Sequence, residues 1–197
     1  TVVVTPLISL MKDQVDNLRA AGIRAVCLHS GLSRAEHRLA LDRCRLGKAK
    51  LMYVSPEKLQ SATFIDQLRS MDVSFLVVDE AHCISQWGYD FRPSYLKISL
   101  IRELFPDIPV LALTASATPV VVDDIMDKLG FKERNVYARS FSRDNLSYIV
   151  RNDFDKERRL ISVLTNTSGS AIVYVRSRRR TREIADMLVR NGISADY

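Results

Sequence analysis

Short apolar runs alternate with amphipathic stretches along most of the chain. The runs are rich in β-branched residues and have the length of buried strands; they cover residues 2–4, 24–28, 51–54, 73–78, 110–113 and 171–175. Between them, apolar residues recur at helical spacing. Because parallel strands buried on both faces are apolar throughout, the pattern predicts an α/β fold, a parallel sheet covered by helices on both faces.

The alternation breaks over residues 135–150, which look β-like, and a basic segment follows. We therefore predict a boundary near residues 141–143, with one domain over residues 1–141 and the start of a second over residues 142–197. The second domain is expected to be cut short at the end of the chain.

Composition and charge indicate the class of protein and the kind of partner it binds. Apolar residues make up 47% of the chain and charged residues 26%, ordinary values for a soluble globular protein, and no apolar run is long enough to predict a membrane span. The net charge of +6 is concentrated in residues 150–197 and favours a polyanionic partner. Cys27, Cys44 and Cys83 are odd in number without C-x-x-C spacing, so we expect reduced thiols in a cytosolic protein and no zinc site.

Two carboxylates follow one predicted strand in the stretch LVVDEAHCISQWGYDF, residues 76–91. Asp79 and Glu80 come directly after the valines, and ligands of parallel α/β sheets bind outside the carboxyl ends of the strands. One acid at that place can hold Mg²⁺, often through water, and a second can polarise an attacking water. The alternative is a solvated strand end with two charged side chains and no ligand.

Five stretches of the chain resemble helicase motifs. The tetrad D-E-A-H at residues 79–82 is similar to motif II (Walker B) of superfamily two helicases. The stretches look like motifs of RecQ-family DNA helicases in the family's order: TPLISLMKDQV (5–15) motif Ia, YVSPEKL (53–59) motif Ib, DEAHCISQWGYDFRPSY (79–95) motif II with an aromatic-rich loop, LALTASAT (111–118) motif III and AIVYVRSRRR (171–180) motif IV. The loop favours the RecQ family over the RNA-acting DEAD-box and DEAH-box branches, although Tyr89 stands where the family commonly has histidine.

The resemblance implies two RecA-like lobes, the first nearly complete but lacking its P-loop unit and the second truncated. It also implies an ATP-dependent DNA helicase that unwinds duplex DNA in the 3′-to-5′ direction during repair or recombination. ATP and Mg²⁺ would be its cofactors, and single-stranded and duplex DNA its partners. Such a protein would be cytoplasmic and nucleoid-associated in a bacterium, or nuclear in a eukaryote; its oligomeric state stays open.

The same resemblance implies roles for single residues. Asp79 would bind the Mg²⁺ of Mg-ATP through water, and Glu80 would orient or deprotonate the hydrolytic water. His82 would link motif II to motif III, where Thr114 and Ser116 would relay between the ATP and DNA sites. The alternatives are a histidine bonded internally at a strand end and hydroxyls that only cap a strand-to-helix turn.

Polar residues near predicted helix N-termini are expected to bind DNA phosphates. They are Thr5, Ser9 and Lys12 in motif Ia, Ser55 in motif Ib, and Ser177 and Arg178 in motif IV. The arginines within residues 176–182 would form a phosphate-tracking face. The alternative for these arginines is a solvated helix face.

Three aromatic residues occupy every second position after the acids: Trp87, Tyr89 and Phe91. In an extended segment they would share one face, which would pack into the core or lie open on a surface loop. The glycine, proline and charged residues around them favour the surface loop. There, DNA bases would stack on Trp87 and Phe91, Arg92 would pair with a phosphate, and Tyr89 would also contact the DNA.

The Walker A pattern G-x-x-x-x-G-K-[ST], whose loop cradles ATP phosphates, does not occur in the 197 residues. We expect it before residue 1 and the family's motifs V and VI after residue 197. The chain would then be an internal piece of a helicase core without appreciable ATP hydrolysis of its own. The alternatives are a DNA-binding helicase relic that lacks motif I and an RNA-directed helicase.

Overall fold

A computed structural model describes residues 1–140 and 143–197 of the chain. The chain divides into two compact units, Thr1–Tyr137 and Ala138–Tyr197. The boundary predicted between residues 141 and 142 lies outside the described residues. Each unit is described below by itself.

The first unit contains one sheet of five parallel strands. The strands are β1 (Val2–Val4), β2 (Ala25–Leu28), β3 (Leu51–Val54), β4 (Leu76–Val78) and β5 (Val110–Ala112), in the spatial order β2-β3-β1-β4-β5. All four pairings are parallel, as predicted. Val4 is level with Val54 and Val78, so the residues that follow β1, β3 and β4 meet at the same edge of the sheet.

Helices cover both faces of this sheet, which confirms the predicted α/β architecture. They are α1 (Ile8–Ala20), α2 (Arg34–Arg45), α3 (Ala62–Arg69), α4 (Ser99–Leu104) and α5 (Pro119–Lys128), with 3₁₀ turns at Pro56–Gln60, Ala81–Ile84 and Pro93–Ile98. Met11 and Val15 of α1 pack with Val3 on one face. The other four helices pack on the opposite face with Val2 and Val4, because successive side chains of a strand point to opposite sides. Among the described residues, no helix combines the length and apolar character needed to span a membrane.

The second unit contains α6 (Lys156–Thr165) and α7 (Arg178–Arg190). The strand predicted at residues 171–175 is wrong, because no strand occurs in the described part of this unit and Tyr174 is 90% exposed. A strand needs a neighbour that accepts and donates its backbone hydrogen bonds, and no described segment pairs with this one. The described residues of 135–150 likewise form no strand. The second RecA-like lobe therefore stays a prediction.

Candidate functional site

Asp79 lies immediately after β4, and hydrogen bonds hold both its backbone and its carboxylate. Its backbone N–H donates to the carbonyl of Val4 at 2.9 Å. Its Oδ2 accepts from Thr5 Oγ1 at 3.3 Å and from Gln14 Nε2 at 3.5 Å, and its Oδ1 accepts from the backbone N–H of Glu80 at 2.9 Å. The carboxylate is therefore fixed in orientation at the edge where β1, β3 and β4 end.

This donor set fits a water-bridged Mg²⁺ better than a metal held by protein alone. Mg²⁺ in nucleotide sites is bound by one or two carboxylates together with waters and phosphate oxygens. Asp79 supplies one oriented carboxylate and Glu80 is next to it. Within the ranges the structure describes, no three His, Cys, Asp or Glu side chains form a cage.

Glu80 adopts a left-handed backbone conformation, with φ 48° and ψ 44°. It is the one non-glycine residue with positive φ in the described parts of the chain. Such a conformation costs free energy and persists where surrounding bonds impose it. Here the bond from Glu80 N–H to Asp79 and the bond from Ala81 N–H to the Leu113 carbonyl at 2.9 Å impose it. The sharp turn leaves the Glu80 side chain 36% exposed beside His82.

His82 is buried and joins the turn after β4 to the segment after β5. Its Nδ1 is 2.9 Å from Thr114 Oγ1 and 3.3 Å from Glu80 Oε2, so one ring nitrogen can exchange a hydrogen bond between the acid and the hydroxyl. Thr114 Oγ1 also accepts from the backbone N–H of Ser116 at 3.3 Å. Ser116 thus enters this network through its backbone, whereas its side chain is exposed.

Cys83 and Asp90 extend the network toward the aromatic loop. The Cys83 sulfur is 3.8 Å from His82 Nε2 and donates to Asp90 Oδ2 at 4.0 Å. Burial raises the pKa of the Cys83 thiol to about 11, so the sulfur keeps its hydrogen at neutral pH. Asp90 accepts from Arg92 Nη2 at 2.6 Å and from Nε at 2.9 Å. Sequence reasoning missed Cys83 and Asp90, since neither belongs to a spacing that signals this contact.

The aromatic loop is open to solvent. Trp87 is 75% exposed and Tyr89 98% exposed, which excludes core packing for these two rings; Phe91 is half-buried. The segment consists of turns, not of an extended strand as assumed for the shared face. Gly88 N–H donates to the Ser85 carbonyl at 3.1 Å, and a Cβ on Gly88 would lie 2.4 Å from the His82 carbonyl oxygen. The loop is therefore closely packed on the backbone of the turn that carries His82.

Tyr95 contacts the turn formed by Asp79 and Glu80, the acidic turn. Sequence reasoning also missed this contact. Its side chain is completely buried, and its hydroxyl donates to the backbone carbonyl of Asp79 at 2.9 Å. Burial raises the pKa of this phenol well above its usual range. The hydroxyl is thus a permanent hydrogen-bond donor that positions Asp79.

Replacing Tyr95 by phenylalanine should lower the free energy of unfolding. The substitution keeps the ring but leaves the partly buried Asp79 carbonyl without this donor, at a cost of about 0.5–1.5 kcal/mol, the net contribution of a typical hydrogen bond. Tyr89→Phe is the matched control, because its hydroxyl is exposed and its removal should change stability by less than about 0.5 kcal/mol. Urea unfolding measures both variants. Equal stability of the two would remove Tyr95 from its supporting role.

The residues predicted to contact DNA in the first unit fall into two groups. Ser9 and Lys12 are exposed in the first turns of α1, and Ser55 is half-buried directly after β3. Thr5, in contrast, is completely buried with its hydroxyl bonded to Asp79. This geometry offers no support for a phosphate contact of Thr5, and it makes the residue part of the acidic turn. The cause is the register of β1 and β4, because Val4 is level with Val78 and the next residues, Thr5 and Asp79, are therefore neighbours.

In the second unit, Ser177 caps α7, and its hydroxyl accepts from the backbone N–H of Arg180 at 3.3 Å. Arg178 is exposed and has no ion pair among the described residues. Arg179 and Arg180 pair with Glu183 at 2.8 Å and 3.2 Å, and Arg180 also pairs with Glu157. The predicted basic face is therefore partly neutralised by acids of its own unit.

Comparisons with known proteins bear on these two units. A sequence model of the family described as DEAD/DEAH box helicase matches residues 1–125. The chain is 41% identical over 196 residues to the ATP-dependent DNA helicase RecQ of Pasteurella multocida, covering 99% of this chain and 31% of that protein. It is 44% identical over 197 residues to the ATP-dependent DNA helicase RecQ of Bacillus subtilis, with 99% and 33% covered. The chain thus spans about a third of the length of these relatives.

The solved Pyrococcus furiosus Hef helicase domain is similar in fold. Its TM-score is 0.50 at 21% sequence identity, with 68% of this chain and 27% of that chain covered. With the parallel five-stranded sheet, this likeness confirms the predicted RecA-like fold. Together with the family match, it shows that the chain belongs to the DEAD/DEAH box helicase family, with RecQ helicases as its relatives.

Proposed function

We propose that the intact protein is an ATP-dependent DNA helicase of the RecQ type, which couples ATP hydrolysis to the unwinding of duplex DNA. The observation that carries this proposal is the unbroken set of contacts from Glu80 through His82, Cys83 and Asp90 to Arg92. It joins an acid suited to water activation with a loop of exposed aromatic rings. The names of the relatives support ATP and DNA as ligands.

On the ATP side, Asp79 would hold Mg²⁺ through water and Glu80 would orient the attacking water. When bound, Mg²⁺ neutralises charge on the phosphates during the displacement. Asp79 keeps its orientation through Thr5, Gln14 and the backbone of Glu80. Because His82 contacts both Glu80 and Thr114, a shift of either segment changes where the Glu80 carboxylate lies.

On the DNA side, bases stack on Trp87 and Phe91, while Ser9, Lys12 and Ser55 meet phosphates of the same strand. In the second unit, Arg178 contributes a further phosphate contact, independent of the ion pairs that occupy Arg179 and Arg180. Arg92 is bonded to Asp90, so binding a phosphate would release it from that partner. Through this exchange, DNA binding would change the contacts of Asp90 and so those of Cys83 and His82.

A strand-displacement assay on the intact protein tests this function. Duplexes with a dye-labelled strand and either a 3′ or a 5′ single-stranded tail are mixed with the protein, with and without ATP. We expect unwinding only with ATP and only from the 3′-tailed DNA duplex. We further propose that the protein acts in DNA repair or recombination, in the cytoplasm of a bacterium or the nucleus of a eukaryote. Unwinding of an RNA duplex instead would favour an RNA helicase, and DNA binding without ATP hydrolysis would favour a helicase relic.

The 197-residue chain alone should show no saturable binding of ATP at micromolar concentrations. It contains no Walker A pattern, and an oriented Asp79 without a phosphate cradle gives only weak contact to the nucleotide. Isothermal titration of Mg-ATP into this chain and into the intact protein makes the comparison. A micromolar site in the 197 residues would contradict this expectation and would require a phosphate cradle elsewhere in the first unit.

A further inference from the structure

A groove of about 700 Å³ opens between α2 and the segment that contains α3, at the end of β2. One wall is the face of α2 with Arg34, Arg38 and Arg45, and the other carries Lys58 and Thr63. None of these residues belongs to the acidic turn or to the aromatic loop. The groove is therefore distinct from those two features, and Lys58 of motif Ib is part of its wall.

Its basic side chains are not neutralised from within the chain. Some cations elsewhere in the first unit have acidic partners, such as Lys128 with Asp124 at 2.7 Å and Arg92 with Asp90 at 2.6 Å. The side chains of the three groove arginines have neither an ion pair nor a hydrogen bond within residues 1–140 and 143–197, and the single acid that lines the groove is Asp42. The ammonium of Lys58 lies 6.0 Å from the centre of the Phe64 ring.

Two histidines in the groove have nitrogens without a partner. His29 is 5% exposed, and its Nδ1 accepts from the Gly31 N–H at 3.0 Å; the neutral ring therefore carries its hydrogen on Nε2, which has no bond to any described residue. Nε2 of His37 is buried and also has no partner among the described residues. Burial, and then Lys12, lowers the pKa of His29; burial, and then Lys58, lowers that of His37. Both rings are neutral near pH 7.

The N-terminus of α2 is not the basis for an anion site here, because a capping box already occupies the N–H groups of Ser33 and Glu36. Ser33 Oγ accepts from the Glu36 N–H at 3.3 Å, and Glu36 accepts from the Ser33 N–H at 2.8 Å. The positive character of the groove comes from side chains. Arg34 and Arg38 are one helical turn apart, about 6 Å along the axis, so each can meet a different phosphate of one strand.

We propose that this groove binds the sugar-phosphate backbone of DNA and lengthens the strand path that begins at Ser9, Lys12 and Ser55. The inference rests on the proposed function. Unpaired guanidinium groups match a phosphate chain, and Phe64, the aromatic ring in the groove, is buried and offers no face on which a base could stack. The groove adjoins the predicted path along the chain, because Lys58 lies in the 3₁₀ turn Pro56–Gln60 that directly follows Ser55. Contacts of this kind are independent of base sequence.

The test compares two double variants of the intact protein that remove equal charge. Arg34→Gln with Arg38→Gln changes the groove, whereas Arg24→Gln with Arg43→Gln changes a different surface that includes the same helix. Binding of a dye-labelled single-stranded oligonucleotide is followed by fluorescence anisotropy at several salt concentrations without nucleotide. Each lost phosphate contact lowers the slope of log affinity against log salt by about 0.7. Thermal melting of both variants checks that they are folded.

We expect the groove variant to bind on the order of tenfold more weakly at 0.1 M salt, with a slope shallower by about 1.4. The control variant should stay near wild type, and Arg34→Lys with Arg38→Lys should recover most of the affinity. If the groove variant binds DNA as the control does, the inference is wrong and an acidic protein segment becomes the better occupant. A wild-type protein that fails to bind DNA would instead overturn the proposed function itself.

Discussion

Glu80→Gln should leave Mg-ATP binding in place and lower the hydrolysis rate of the intact protein by roughly 10²–10⁴-fold, the contribution expected of a general base. Asp79 keeps its three hydrogen bonds in this variant, because the bond from residue 80 comes from the backbone N–H. Glutamine also fits the same left-handed backbone no worse than glutamate. The change therefore replaces one carboxylate oxygen of residue 80 by an amide nitrogen and keeps the size of the side chain.

Two further variants make this result specific. Glu103→Gln changes an exposed acid of α4 and should hydrolyse ATP at the wild-type rate. Asp79→Ala should instead weaken the Mg²⁺-dependent part of ATP binding, because it removes the oriented carboxylate itself. Single-turnover hydrolysis and a fluorescent nucleotide titration separate the two effects. Near-wild-type turnover of Glu80→Gln would remove Glu80 from the catalytic step.

The sheet and the position of its acidic edge were predictable from the sequence for a simple physical reason. Central parallel strands are apolar on both faces, so their ends are visible as the first polar residue after a run of valines. Asp79 and Glu80 follow such a run, and the parallel register brings them level with the ends of β1 and β3. The contact of His82 with Thr114 agrees with the motif order, since β4 and β5 are neighbours.

Contacts that depend on side-chain packing were not predictable in the same way. Tyr95 lies sixteen positions after Asp79 in the sequence, and Cys83 meets Asp90 because Gly88 permits a tight turn. Thr5 is the polar residue that follows β1. The sequence pattern is the same whether its hydroxyl faces solvent or Asp79, so the pattern could not predict the contact. The run at residues 171–175 has the composition of a strand, but composition does not supply the neighbour that a strand needs.

Trp87→Ala should reduce DNA-stimulated ATP hydrolysis and unwinding sharply while thermal stability and ATP affinity stay near wild type. The ring is 75% exposed, so its removal takes away little packing, and surface changes of this kind alter stability by less than about 0.5 kcal/mol. A base stacked on an aromatic ring contributes about 1–3 kcal/mol. That range corresponds to roughly 5- to 150-fold in DNA affinity, and the loss should appear in DNA-stimulated turnover at limiting DNA.

Two control variants test whether the effect depends on an aromatic ring at position 87. Tyr137→Ala removes another almost fully exposed ring of the first unit and should leave DNA-stimulated hydrolysis unchanged, whereas Trp87→Phe keeps a stacking face and should recover much of it. Gly88 fixes the loop against the His82 carbonyl, so a base that moves Trp87 also strains the turn that carries His82 and Glu80. If Trp87→Ala melts several degrees lower and loses basal and stimulated hydrolysis together, the ring stabilises the fold and does not report DNA binding to Glu80.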